Sequence, residues 1–257
     1  MTFKWWVPRR AVQISILLLI ASPLFGMTFF SGNLASAELF GFQFTDPVAF
    51  LQATLASRTF IPSFLGGAAL VTLFYFLAGG RTFCGWICPV YLLTELGDKL
   101  ARRTGSNRHF SLSGTRWSFL IVVAVSMFAG IPLLEVLSPI GITSRAIMFQ
   151  SLLPLLLISA ILVVEIFVAN RLWCRTLCPI GGFYALLGRF SPLRIGFNKS
   201  LCTNCGECRP VCPVAEVLEP ALADGARQIV SGDCTRCGAC MDVCPTKAFE
   251  VNVGIKN

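Results

Sequence analysis

Histidine is nearly missing from this 257-residue chain, in which His109 is the only one. A bis-histidine haem within the apolar part is therefore excluded, and no C-x-x-C-H run exists to attach a haem covalently. His109 itself reads as a solvated loop residue. Charge is scarce as well, at 13% of residues against roughly 25% in an ordinary soluble domain. Neither a Gly-rich phosphate loop nor a nucleophilic triad is present, which leaves kinase and hydrolase readings without support. Acidic residues are outnumbered by basic ones, 13 to 21. That surplus has a topological explanation, given below, and no nucleic-acid partner is expected.

What the chain has in quantity is apolar residues and cysteine: 55% hydrophobic, a mean hydropathy of +0.72 and 12 cysteines. Eight cysteines fall in two near-identical blocks, CTNCGECRPVCP and CTRCGACMDVCP. At an offset of 32 residues Cys202, Cys205, Cys208 and Cys212 align with Cys234, Cys237, Cys240 and Cys244. The spacing C-x2-C-x2-C-x3-C-P, repeated, is the pattern that bacterial ferredoxins use for two [4Fe-4S] clusters. Three closely spaced thiolates wrap one cluster, and the fourth cysteine is expected to start a helix that carries its sulfur to the other. The ligand sets then cross: Cys202, Cys205, Cys208 and Cys244 on one cluster, and Cys234, Cys237, Cys240 and Cys212 on the other. Zinc ribbons use two C-x2-C pairs rather than a run of four with a trailing proline, and a disulfide framework is the other alternative.

Four apolar stretches, residues 11–31, 61–80, 117–137 and 147–169, have about the 20 residues that a bilayer core asks of a helix. The first follows Lys4, Trp5, Trp6, Arg9 and Arg10. It is read as an uncleaved transmembrane helix rather than a signal peptide, although LASA at 34–37 resembles a cleavage site. Between the first two spans, Asp46 and Pro47 mark a helix start. Val48, Leu51 and Leu55 are expected on one face of a helix lying at the outer membrane surface. Gly66-Gly67 and Gly79-Gly80 are read as points of close helix approach, and 91–116 as amphipathic and basic. With four spans both termini lie on one side. That side carries 19 of the 21 lysines and arginines, all but Arg58 and Arg145, so the positive-inside rule places termini and clusters in the cytoplasm. The expected fold is thus an α-helical membrane protein of four transmembrane helices, arranged as two repeated hairpins over residues 1–180. A C-terminal two-[4Fe-4S] ferredoxin-like α+β module follows over 181–257.

The hairpin repeat rests on a second motif. RTFCGWICP at 81–89 and RLWCRTLCP at 171–179 share arginine, two cysteines and proline at an offset of 90. Cys84 with Cys88, and Cys174 with Cys178, stand at i and i+4, on one face of a helical segment. They are candidate cofactor-binding residues, either ligands of a further metal or cluster or a redox-active thiol set. The bland alternative is small buried residues at a helix-ending turn.

Two carboxylates enter the apolar spans, Glu135 near the outer end of the third and Glu165 near the cytoplasmic end of the fourth. Acids there default to functional candidates. The helical turn between positions 165 and 171 argues against a Glu165–Arg171 pair. Glu135 has Arg145 across a short turn, as an ion-pair partner or as a second contact to a ligand.

With these features together, nearly the whole chain resembles the NapH family of ferredoxin-type membrane subunits of periplasmic nitrate reductase systems. The resemblance includes FTDPVAFLQATLAS, the turn from Glu135 to Arg145, both C-x3-C-P motifs and the two cysteine blocks. It implies a quinol dehydrogenase subunit in the bacterial inner membrane. Electrons would pass to a NapG-like periplasmic iron-sulfur protein, with a NapC-like cytochrome and the nitrate reductase as further partners. Quinol releases two protons with its two electrons, so Glu135, Arg145 and Glu165 are the candidate catalytic residues for quinol and proton handling. A second reading is a membrane redox-regulatory or assembly protein for a periplasmic or respiratory reductase.

Overall fold

The computed structural model describes residues 4–25, 30–33, 36–39, 42–59, 62–103, 115–130, 137–138, 141–143, 146, 152–167 and 171–254. Glu135, Arg145 and His109 lie outside the described residues. The elements used below are α1 (Trp6–Ala21), β1 (Phe30–Asn33), β2 (Ser36–Leu39), β3 (Phe42–Thr45), α2 (Pro47–Ser57), α3 (Pro62–Ala78), α4 (Thr82–Trp86), α5 (Pro89–Arg103), α6 (Thr115–Ala129) and α7 (Leu152–Phe167). They continue with α8 (Pro179–Phe190), β4 (Leu193–Phe197), α9 (Cys208–Val211), β5 (Gln228–Ile229), α10 (Ala239–Val243) and β6 (Phe249–Val253).

These elements gather into two compact units. One unit takes Met1–Gln13, Tyr75–Ile87 and Tyr184–Asn257, and the other takes Ile14–Phe74 and Cys88–Phe183. In the first unit β4 is the centre of a three-stranded antiparallel sheet of order β5-β4-β6. Ile195 faces Ile229 on one side and Val251 on the other, and Phe197 faces Phe249. Phe197 and Phe249 pack with tilted rings, centroids 5.0 Å apart, and join Ile195, Val217, Leu218, Ala221 and Ile229 in one core. Six of the eight block cysteines pack on or within this core, so the hydrophobic cluster that folds the unit also holds the two loops in place. Tyr184, wholly buried, packs between Tyr75 and Phe83 with ring centroids 4.9 and 5.0 Å away. Gly80 has φ +64, and a Cβ there would lie 2.3 Å from the carbonyl oxygen of Tyr184, so only glycine permits this approach. Gly66, by contrast, has nothing within 4 Å of such a Cβ among the described residues, so no close approach is seen at Gly66 itself.

The second unit holds most of the apolar helices. α5 packs on α7, and α2 on α6, where buried Gln52 donates to Ser126 Oγ at 2.6 Å. The Asp46 carboxylate caps α2 by accepting from the backbone N–H groups of Val48 and Ala49, with Pro47 at the first helical position. The buried face of α2 is Pro47, Val48 and Gln52, whereas Leu51 is exposed. The expected Val48–Leu51–Leu55 face is therefore rotated, because the amide of Gln52 has a partner inside. Between α1 and α2 the strands β1, β2 and β3 form an antiparallel meander that the sequence reading did not foresee. Its signal is the alternation Phe42, Gln43, Phe44, Thr45.

Within the described residues the four apolar stretches are helical over 16 residues in α1, 17 in α3, 15 in α6 and 16 in α7, and α1 and α6 end earlier than expected. α1 ends where Ser22-Pro23 turns the chain into a 3-10 segment, since proline removes an N–H and blocks the preceding turn. α6 ends at Gly130, φ +65. Among the described residues no helix is long and apolar enough to cross a membrane.

Candidate metal centres

The two cysteine blocks fold alike because the same positions take the same unusual backbone. Asn204 and Gly206 have φ +55 and +77, and Arg236 and Gly238, 32 residues on, have +48 and +76. Left-handed residues between the cysteines curl each loop so that consecutive N–H groups form an anion-binding concavity. The last cysteine of each block does not begin a helix, as the sequence had suggested. Cys212 and Cys244 cap the C-terminal ends of α9 and α10 in extended conformation. Pro213 and Pro245 then stop the helix from continuing.

This placement sorts the eight sulfurs into two cavities. Cys202, Cys205, Cys208 and Cys244 line one, and Cys212, Cys234, Cys237 and Cys240 line the other. Each cavity thus takes three cysteines from one block and the fourth from the other. None of the twelve cysteines is in a disulfide. Among the described residues no three His, Cys, Asp or Glu side chains converge as a single ion would require. Four thiols spaced around a void, rather than drawn to one point, suit a cubane, in which each cysteine ligates a different iron. Burial pushes the Cys208 and Cys234 thiols up and the Cys240 thiol well up, each with further help from neighbouring cysteines. Cys244 is also penalised by burial, but the Ala248 N–H and the Thr246 hydroxyl outweigh this and hold it below the ordinary thiol range.

The loop Cys234–Cys240 is enclosed by the chain's own N-terminus and first C-x3-C-P turn. Asp242 accepts from the N–H groups of Trp5 and Trp6 at 2.7 and 2.9 Å. Arg9 donates to the Cys237 carbonyl, Trp86 Nε1 donates to the Arg236 carbonyl at 3.1 Å, and Gln13 donates to the Gly85 carbonyl at 3.0 Å. The Arg236 side chain spans the carbonyls of Leu193, Gly188 and Gly79. Arg81, the first arginine of the second repeat, makes a buried ion pair with Asp233 at 3.0 Å, one residue before Cys234.

Its repeat mate Arg171 makes the corresponding pair with Asp98 at 2.5 Å and lies over the Tyr91 ring at 4.6 Å. Burial opposes the Arg171 charge, but Tyr91 and Asp98 hold its pKa above the usual arginine value. Glu165 and Arg171 form no ion pair among the described residues: Arg171, with φ +58, is turned to Asp98. Glu165 is 3% exposed, and among the described residues neither carboxyl oxygen makes a full-geometry hydrogen bond. The charges of Arg171 and Asp98 and the N–H groups of Trp173 and Cys174 lie near enough to act on it electrostatically. Asp98, Asp233, Asp242 and Gln13 escaped the sequence reading. Gln13, an amide inside an apolar run, was the available signal.

The C-x3-C-P cysteines are not evenly helical. Cys84 lies within α4, and Cys88 falls in the break before α5. Cys174 lies in a π-helical turn, Trp173–Leu177, and Cys178 is the extended residue that ends it. Cys84 belongs to the first unit and Cys88, Cys174 and Cys178 to the second.

Comparison with known proteins bears on both motifs. The family described as "4Fe-4S binding domain" matches twice, at residues 60–107 and 151–198, each match containing one C-x3-C-P turn. The family described as "4Fe-4S dicluster domain" matches 194–245. MauN, the methylamine utilization ferredoxin-type protein of Paracoccus denitrificans, is 38% identical over 90% of this chain and 83% of its own. That of Methylorubrum extorquens is 37% identical over 97% and 89%. The ferredoxin-type protein NapH of Escherichia coli is 32% identical over 86% and 79%. The chain belongs to the NapH/MauN family of ferredoxin-type proteins. As a family member it is a ferredoxin-type electron-transfer protein carrying 4Fe-4S-binding domains. No solved structure matches it.

Proposed function

We propose that this NapH/MauN-type chain is an electron-transfer subunit of a bacterial inner membrane, oxidising quinol and passing the electrons toward a periplasmic enzyme system. The observation that carries this reading is the pair of cavities with crossed cysteine sets. Cys202, Cys205, Cys208 and Cys244 would ligate one [4Fe-4S] cluster, and Cys212, Cys234, Cys237 and Cys240 the other. Each bound cluster supplies one-electron redox chemistry. The chain's part is to present thiolates, direct loop N–H groups at the site and limit access of water.

Membrane residence is supported by the apolar helices themselves, which leave large side chains exposed where water would penalise them. Leu18 on α1, Leu73 and Phe74 on α3, Ile121 and Phe128 on α6, and Leu156 and Phe167 on α7 are examples. An apolar surface of this extent suits lipid. The distribution of lysine and arginine favours cytoplasmic termini and clusters. In this reading residues 14–74 and 88–183 supply the membrane part. Quinol gives up two electrons and two protons, and Glu165, a buried carboxyl near Arg171 and Asp98, is the base we assign to a proton. Glu135 with Arg145 is the corresponding pair for an outer-side quinol site.

The resemblance to NapH favours a NapG-like iron-sulfur protein, a NapC-like cytochrome and a nitrate reductase as partners. The higher identity to MauN proteins supports a second reading, in which the same current serves a methylamine-utilization system. The test is anaerobic mixing of purified chain with a menaquinol analogue, followed by EPR. Cluster signals that appear with quinol, and appear far more slowly in Glu165→Gln, support the proposal. Clusters that quinol never reduces would sink it and favour a regulatory or assembly role. Iron clearly above about eight per chain would bring Cys84, Cys88, Cys174 and Cys178 in as ligands of a further centre.

A further inference from the structure

The two cysteine loops are copies with similar backbone, yet they differ in cover between the first and third cysteine of each. In the second, Thr235, Arg236, Cys237 and Gly238 are all buried. In the first, the equivalent Thr203, Asn204, Cys205 and Gly206 are all exposed. The cause is visible residue by residue. A Cβ on Gly238 would meet Trp5 Cβ at 2.5 Å, whereas one on Gly206 would have nothing within 4 Å. A Cβ on Gly85 would lie 2.9 Å from the Thr235 carbonyl oxygen and 3.5 Å from Cys237 Cβ. Trp86 donates to the Arg236 carbonyl, while Asn204, at the equivalent place, turns its side chain back to within 3.6 Å of Cys202 Sγ.

The chain therefore covers one loop with its own residues 5–13 and 85–86 and leaves the matching stretch 203–207 of the other bare. From this we infer that the bare loop, Cys202 to Arg209, is the surface on which a separate one-electron carrier protein docks. The covered loop, Cys234 to Cys240, exchanges electrons only within the chain, through the Cys84–Trp86 turn against it. One electron crosses the bare loop per encounter, with no bond made or broken and no proton required. Carrier oxidation state changes by one in the opposite sense. Glu207 and Arg209, both exposed, flank Cys208 and would set the charge dependence of docking. The inference rests on the proposed ligation of two clusters and adds the order in which they face outward and inward.

The test uses the full chain purified anaerobically in detergent, with iron counted and EPR saturation recorded with and without a gadolinium chelate. The Asn204→Ala variant identifies the signal that belongs to the bare loop, since the substitution removes the contact to Cys202 at an exposed position. Relaxation of that signal should be enhanced several-fold by the chelate while the other signal is unchanged. In stopped flow with hexacyanoferrate(III) as the one-electron probe, Arg209→Glu should oxidise about threefold more slowly at low ionic strength and at unchanged iron content. About eight irons per chain with both signals relaxed equally, or with unaltered oxidation by Arg209→Glu, overturns the docking surface alone. Iron well below that number overturns the ligation reading, and the docking surface with it.

Discussion

At the scale of residues, the arginines that open the two C-x3-C-P turns are the least ordinary feature. Arg81 is buried on Asp233, and Arg171 on Asp98. Removing one partner leaves an uncompensated charge inside, at a cost of about 3–5 kcal/mol. Asp233→Ala should therefore lower the unfolding free energy from denaturant curves by that order, whereas Arg209→Ala, whose pair with Glu219 is half exposed, should change stability by less than about 1 kcal/mol. Both arginines were legible as a repeat, but neither partner was. Asp233 is 152 residues from Arg81 and Asp98 is 73 from Arg171, and nothing local links them. The duplicated glycines offer a sharper contrast. Alanine at Gly206 or Gly238 meets the left-handed backbone penalty, about 1–2 kcal/mol, but only Gly238→Ala also collides with Trp5. Gly238→Ala should lose iron from one cluster during purification under conditions in which Gly206→Ala keeps both.

At the scale of elements, the cap of α2 is the clearest case of sequence dictating structure. Asp46 and Pro47 announce the helix start, and the Asp46 carboxylate accepts the two N–H groups expected of it. Asp46→Ala should cost about 1 kcal/mol, read as a fall in thermal midpoint, with Asp46→Asn recovering most of it. The face that α2 buries was not legible, because Gln52 is held by Ser126 on a helix far along the chain. Apolar stretches identified helices but overestimated the length of α1 and α6, since Ser22-Pro23 and Gly130 end them early. The cysteine spacing foretold two loops with a late fourth sulfur. Cys212 and Cys244 nonetheless close short helices rather than open them, a distinction that a proline one residue later does not resolve by itself.

At the scale of the whole molecule, the chain's first residues belong with its last. Cleavage after Ala37 would remove Trp5, Trp6, Arg9 and Gln13 from around the Cys234–Cys240 loop. Protein sequencing of the mature chain should therefore find an N-terminus upstream of Trp5, and a start at Glu38 would contradict this arrangement. The thiols also predict how metal loading depends on pH. Cys208, Cys234 and Cys240 are held above the ordinary thiol value by burial and must give up protons to bind iron. Loading is thus favoured as pH rises and is progressively lost as pH falls below those values, each thiol contributing up to about tenfold per pH unit. Iron release to a chelator should accelerate steadily from alkaline to acid pH.

The claim on which the rest depends is that the two cysteine blocks exchange their fourth ligands. The most direct measurement is anaerobic iron and acid-labile sulfide analysis with EPR on the intact chain and on Cys205→Ser, Cys237→Ser and Cys244→Ser. About eight irons and eight sulfides per chain are predicted, with Cys244→Ser altering the same cluster signal as Cys205→Ser. An alteration shared instead with Cys237→Ser would contradict the proposed crossed arrangement.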